Sequence, residues 1–217
     1  MFDPTQLPVI SLAGEAAVAP ARLHPTALRQ RFAQTLAWEP EISTETDDRL
    51  AAPFRRAAVL IPLVERPEGV TVLLTRRTDH LTSHAGQVSF PGGRSEDYDS
   101  SPIETALRET EEEIGLSRHR IEIIGVLPDY ATISAYRVTP VVALVEPPFT
   151  LQVDPGEVAE AFEVPLAWLM DGQHHQRREI ALPQGGSRAF YTMPYERYFV
   201  WGATAAMLRN LFHFLRA

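Results

Sequence analysis

The sequence predicts an α/β protein in which a mixed sheet packs against helices. Three observations carry this reading. Short apolar runs of strand length begin at Arg56, two later segments (103–114 and 203–215) have helical character, and strand candidates lie on both sides of the first of these helices.

In chain order, residues 1–21 mix Pro, Gly and small residues without a sustained period and read as a loose or partly ordered arm. Pro25 stands where a helix can begin, and Leu28, Phe32 and Leu36 recur every four residues, which predicts a short amphipathic helix over 26–38 closed by Pro40. The polar, acidic stretch 41–49 reads as a linker. Residues 1–50 are thus expected to form an arm with a short helix, and 51–217 the main domain. The runs 57–64 and 70–75, separated by Arg66-Pro67-Glu68-Gly69, read as a hairpin. Further strands are predicted at 121–127, 139–145, 162–165 and 190–191. No repeat recurs at a fixed period.

With 217 residues, 45% of them hydrophobic and 22% charged, the chain has the size and composition of one folded domain. It has no Cys, which excludes a disulfide scaffold, a thiolate metal site and a cysteine nucleophile, and is compatible with a reducing cytoplasm. No apolar run approaches the roughly 20 residues of a membrane helix, and no basic start precedes an apolar block, so a cytoplasmic protein that does not enter membranes is expected. Twenty basic against twenty-eight acidic residues give a net charge of -8, a poor background for gripping long nucleic acid. A phosphorylated small molecule therefore needs local cations or a metal to reverse the field.

The most informative segment runs from Pro91-Gly92-Gly93-Arg94 to Thr105-Ala106-Leu107-Arg108-Glu109-Thr110-Glu111-Glu112-Glu113-Ile114-Gly115-Leu116. On a helix, spacings of three and four place Glu109, Glu112 and Glu113 on one face and turn Glu111 away. Like charges at those spacings cost about 0.2–0.5 kcal/mol each in an isolated helix, so the cluster is unfavourable unless something positive sits on it. Clustered hard oxygens suit Mg²⁺ or Mn²⁺; the plain alternative is a solvated helix face. Arg108 stands four residues from both Glu104 and Glu112, placed to orient either, and Gly115 suits the helix C-terminus. Gly92 and Gly93 let the backbone approach a ligand closely.

Arg76, Arg77, His80, His84 and Arg94 bring basic groups near this helix in an otherwise acidic chain, an arrangement that fits a polyanion. His174 and His175, beside Arg177 and Arg178, read as decoration of a solvated loop. Trp201, Phe212 and Phe214 lie among Ala and Leu and read as core or dimer packing rather than as a base-stacking surface.

The run Arg108-Glu109, Glu112-Glu113, Gly115-Leu116, preceded by a glycine pair, resembles the Nudix box: Gly, five residues, Glu, seven residues, Arg-Glu, an apolar residue, any residue, Glu-Glu, any residue, Gly and an apolar residue. Thr110 replaces the apolar residue, Ser100 stands where the box has its first Glu, and Gly93 lies fifteen residues before Arg108 instead of fourteen. A one-residue insertion accounts for the last two, with Glu96, Asp97 or Asp99 as the stand-in carboxylate. Upstream, Leu73-Leu74-Thr75-Arg76 through His84, Gly86 and Phe90-Pro91-Gly92-Gly93 resembles the extra motif of the coenzyme A diphosphatase branch. The resemblance covers about residues 54–215.

It implies a Nudix-type α/β/α sandwich with a mixed β-sheet and a catalytic loop-helix-loop. It further implies hydrolysis of the coenzyme A or acyl-CoA pyrophosphate to 4′-phosphopantetheine and adenosine 3′,5′-bisphosphate. Glu109, Glu112 and Glu113 would hold Mg²⁺ or Mn²⁺, with Arg108 beside them in the catalytic set. Arg76, Arg77, His84, Gly92, Gly93 and Arg94 would bind substrate, and one of Arg76, Arg77, His84 and Arg94 would read the 3′-phosphate. Glu157 or Asp154 would supply a loop base. A homodimer is left open. The competing readings are a Nudix hydrolase of another nucleoside diphosphate compound such as ADP-ribose, and a catalytically silent Nudix ligand sensor.

Overall fold

A computed structural model describes residues 3–35, 37–41, 54–81, 84–182 and 185–217. In chain order the regular elements are β1 (Ser11–Leu12), α1 (Pro25–Ala33), β2 (Arg55–Arg66), β3 (Gly69–Arg77), β4 (Val88–Ser89), β5 (Gly92–Arg94), α2 (Pro102–Ile114), β6 (Ile121–Val126), β7 (Tyr130–Ala131), β8 (Tyr136–Val145), β9 (Val158–Pro165), α3 (Leu166–Leu169), β10 (Gln176–Ala181), β11 (Ser187–Tyr195), β12 (Tyr198–Trp201) and α4 (Gly202–Arg216).

The apolar run in β2 does not alternate because the strand is covered on both faces. Ala58 and Leu60 pack with Ala106 of α2, whereas Ala57, Ile61 and Leu63 belong to the larger core that includes α4. β2 pairs in parallel with β8 and antiparallel with β3 and β5, β6 and β7 pair antiparallel with β8, and β9 pairs antiparallel with β3. The sheet is therefore mixed, as predicted. The hairpin at Arg66-Pro67-Glu68-Gly69 forms in the predicted place, with Arg66 opposite Gly69.

A second sheet, in the order β1-β10-β11-β12, was legible only as the fragment 190–191. Its β11 runs from Ser187 to Tyr195. Helix α4 packs on β11 and β12, and its apolar side chains merge with those beneath the first sheet into one core.

The arm is not loose. Val18 is buried, β1 pairs with β10, and the Glu15 backbone passes so close to Gly172 that a Cβ there would lie 2.5 Å from the Glu15 carbonyl oxygen. Arg209 of α4, 1% exposed, is bound by Glu15 at 2.7 Å and Glu41 at 2.7 Å. The sequence conceals this docking because it uses isolated contacts and one buried charge cluster rather than a periodic apolar face. Helix α1 also stops earlier than predicted: Gln34 is extended, and the chain then lays Trp38 against Phe214, with ring centroids 5.2 Å apart. Leu36 and residues 42–53 lie outside the described residues.

His174 and His175 are not loop decoration. His174 stacks on Trp168 at 4.3 Å, and His175 is fully buried between the Leu169 carbonyl and Arg209. Arg178 is buried too, donating to the carbonyls of Pro4, Thr5 and Leu7. Among the described residues no helix is long and apolar enough to cross a membrane.

Candidate active site

Helix α2 is built to start and stop where it does. The Ser101 hydroxyl accepts from the Glu104 amide at 3.3 Å, Pro102 occupies the first turn, and Gly115 closes the helix at φ 66°, a left-handed conformation that favours glycine. Thr110, the residue that departs from the box, is buried and donates its hydroxyl to the Ala106 carbonyl at 2.7 Å. It therefore fills an apolar position without leaving an unpaired hydroxyl.

One face of α2 presents Glu109, Glu112 and Glu113. Arg108 Nη1 donates to Glu109 at 2.8 Å and to Glu112 at 2.9 Å, while its Nε and Nη2 bond Asp99 at 3.0 and 2.9 Å. Glu104 and Glu111 turn instead to Arg118. Arg108 thus orients Glu112 but not Glu104. Asp99 also accepts from Thr105 and the Glu96 amide, and its side chain is 4% exposed. Of the three stand-ins for the first box glutamate, Asp99 is the one that pairs with Arg108. The Arg108 guanidinium holds the Asp99 carboxyl well below the usual carboxylate range.

The two glycines matter for different reasons. A Cβ on Gly93 would lie 2.5 Å from Glu109 Oε2, so a side chain there would push the helix carboxylate aside. Gly92, at φ 150°, donates its amide to Glu113 Oε2 at 3.1 Å. Arg77 faces the other oxygen of Glu113 at 3.8 Å. Burial pushes the Glu113 carboxyl up to about 8; the Gly92 amide and Arg77 oppose the rise, and Glu157 and Glu109 add repulsion. Burial raises Glu109 too, against Arg108, with Glu112 and Glu157 adding to the rise.

These carboxylates are short of positive charge, which is the condition a hard divalent cation relieves. Among the described residues no three already converge to hold an ion: Arg108 draws Glu109 and Glu112 to itself, and Glu113 turns to Gly92. The donor set itself, all carboxylate oxygen, fits Mg²⁺ or Mn²⁺.

Beyond Gly92 and Gly93 opens a cavity of about 920 Å³. Its lining includes Arg77, His84, Gly92, Gly93 and Arg94 from β3, β5 and the loop after β3, and Arg188, Phe190, Tyr191, Trp201 and Met207 from β11, β12 and α4. His84 has φ 58° and bonds Gln87 at 2.8 Å, so it both shapes a turn and faces the cavity. Arg76 does not line it: its guanidinium pairs with Glu160 and Asp79. Of the loop candidates, Asp154 caps its own turn by accepting from Gly156, whereas Glu157 feels Glu109 and Glu113 electrostatically. Trp201 lines the cavity rather than the core, while Phe212 and Phe214 are buried as expected. Arg188 and the Tyr191 wall went unnoticed in the sequence because a lone arginine on a short strand carries no pattern.

The NUDIX domain family matches residues 54–184. A relative from Escherichia coli strain K12, named uncharacterized Nudix hydrolase NudL, is 43% identical over 172 residues, which span 79% of this chain and 86% of the relative. The protein of the same name from Shigella boydii serotype 18 matches to the same extent. The solved structure of the M. smegmatis Nudix hydrolase RenU superposes with a TM-score of 0.44 at 24% identity, covering 52% of this chain and 71% of that one. By the family match over more than half its length and by the 43% identity to the Escherichia coli and Shigella boydii relatives, the chain belongs to the Nudix family and is a Nudix hydrolase.

Proposed function

We propose that the protein hydrolyses the pyrophosphate of coenzyme A or its acyl derivatives, giving 4′-phosphopantetheine and adenosine 3′,5′-bisphosphate. The observation that carries this reading is the juxtaposition of the α2 carboxylates with the large cavity that starts at Gly92 and Gly93. It supports a diphosphate ester whose linkage sits at the glycines and whose two long arms need room. The stretch from Leu73 to Gly93 supports the substrate through its resemblance to the coenzyme A diphosphatase branch.

Glu109, Glu112 and Glu113 would hold Mg²⁺ or Mn²⁺, which when bound neutralises diphosphate charge and lowers the pKa of a bound water. The chain's own residues do the remaining work. Arg77, His84 and Arg94 hold the diphosphate oxygens, and Arg108, anchored by Asp99, fixes the helix carboxylates. Water adds to one phosphorus as the bridging P–O bond breaks, and a carboxylate takes the proton released from the water. Glu157, exposed and close enough to feel both Glu109 and Glu113, suits that role; Asp154, spent on its turn, does not.

The test is turnover of purified protein on coenzyme A, an acyl-CoA, ADP-ribose and NADH, with Mg²⁺ or Mn²⁺ and with excess chelator. Coenzyme A compounds should give the highest kcat/KM, and chelator should abolish turnover. A preference for ADP-ribose, or no turnover of any compound, would overturn the assignment.

A further inference from the structure

The cavity has two chemically different walls. The wall near α2 carries Arg77, which faces Glu113, His84, which bonds Gln87, and Arg94, on the strand whose glycines touch Glu109 and Glu113. A second wall comes from β11, β12 and α4. There the polar atoms of two lining residues are already engaged: the Tyr191 hydroxyl donates to Glu41 at 3.0 Å and the Thr204 hydroxyl to the Val88 carbonyl at 3.0 Å. What this wall presents to a ligand is aromatic surface and a single cation, Arg188. The Phe190 and Trp201 rings lie 6.0 Å apart at 61°. Arg188 is half-buried, and its side chain has no hydrogen bond or ion pair among the described residues.

A guanidinium held in apolar surroundings without a carboxylate loses hydration that only an anion can repay, and its planar fork matches phosphate oxygens. Aromatic faces hold a nucleobase by stacking. We propose that this wall is the subsite for the nucleoside end of the substrate, with Arg188 binding a phosphomonoester and Phe190 and Trp201 holding the base. Resting on the coenzyme A reading, that phosphomonoester is the adenosine 3′-phosphate. Arg76, one of the cations first expected to read it, lies off the cavity, and Arg77, His84 and Arg94 belong to the diphosphate end.

The experiment is calorimetric titration of the full chain with adenosine 3′,5′-bisphosphate and with AMP, in wild type, Arg188→Gln and Phe190→Leu. Because the Arg188 side chain has no partner among the described residues, its replacement should leave the fold unchanged. Arg188→Gln should weaken the bisphosphate by about tenfold or more, the effect of losing a hydrogen bond to a charged group, and leave AMP nearly untouched. Phe190→Leu should weaken both ligands by about fivefold or more. A wild type that does not distinguish the two ligands, or an Arg188→Gln variant that loses both equally or neither, overturns the phosphate assignment. An unaffected Phe190→Leu overturns the base assignment.

A second measurement, kcat/KM for coenzyme A against dephospho-coenzyme A, separates this inference from the proposed substrate. Turnover of coenzyme A with an unchanged preference in Arg188→Gln overturns the subsite alone. No turnover of coenzyme A, with bisphosphate discrimination still dependent on Arg188, overturns the substrate and upholds the subsite.

Discussion

Replacing Asp99 by Asn isolates what holds helix α2 in register with its loop. The Asp99 side chain is 4% exposed and takes four hydrogen bonds, two from Arg108 at 3.0 and 2.9 Å, one from Thr105 and one from the Glu96 amide, both at 2.9 Å. Asn keeps the shape and one acceptor oxygen, so packing is unchanged, but its amide cannot accept from the second arm of Arg108. Breaking a buried pair by removing one partner costs about 3–5 kcal/mol. Arg108 keeps Glu109 and Glu112 and is itself 15% exposed, so the lower end, about 3 kcal/mol, applies here. For a chain of this size that corresponds to a fall in Tm of about 6–12 °C. Urea unfolding and calorimetry at pH 7 measure it directly, with Asp97→Asn and Glu96→Gln as controls expected within about 0.5 kcal/mol of wild type. Turnover should also fall about 10–100-fold, as when an outer partner of a metal-binding carboxylate set is lost. A loss below about 1 kcal/mol, or an equal loss in Asp97→Asn, would refute the claim that Asp99 replaces the first glutamate of the box.

Glu113→Gln should remove most turnover while raising stability in alkaline, metal-free buffer. The folded carboxyl, raised from 4.5 to about 8, opposes folding increasingly across that range, so Tm should gain on wild type at pH 9 and hardly at pH 5; a lower Tm at pH 9 would contradict this. Acid sensitivity should come in two windows. His175, lowered to about 4 by burial, contributes stability above its ordinary 6.5 that is lost as pH falls toward 4. Glu41, lowered to about 2 by its bonds to His213 and Arg209 against the opposing effect of burial, contributes stability above 4.5 that is lost as pH falls toward 2. Glu41→Gln should shrink the second window, which Asp99 shares, in a pH series of urea midpoints and leave the first. Deleting residues 1–19 should cost at least about 3 kcal/mol, because it strips Glu15 from buried Arg209 and removes Val18 from the core; an unchanged Tm would refute the docking of the arm.

The sequence by itself determined the elements whose cause is local. The hairpin at Arg66–Gly69, the helix from Pro102 to Ile114 with its cap and terminal glycine, and the shared face of Glu109, Glu112 and Glu113 follow from turn chemistry and helical spacing alone. It also reduced the missing box carboxylate to three residues. Choosing among them needed tertiary structure, since Glu96, Asp97 and Asp99 are adjacent and only the loop's path decides which one meets Arg108. The same holds for Arg76 and Arg77, neighbours with equal claims until their strand sent one to Glu160 and the other to Glu113. The arm, the second sheet and the cavity wall from β11, β12 and α4 depend on partners distant in sequence: Glu15 and Glu41 with Arg209, Ser11 with Arg177, Thr204 with Val88. Such contacts leave no period and no motif in the chain, because each residue's role is fixed by a neighbour that only folding supplies.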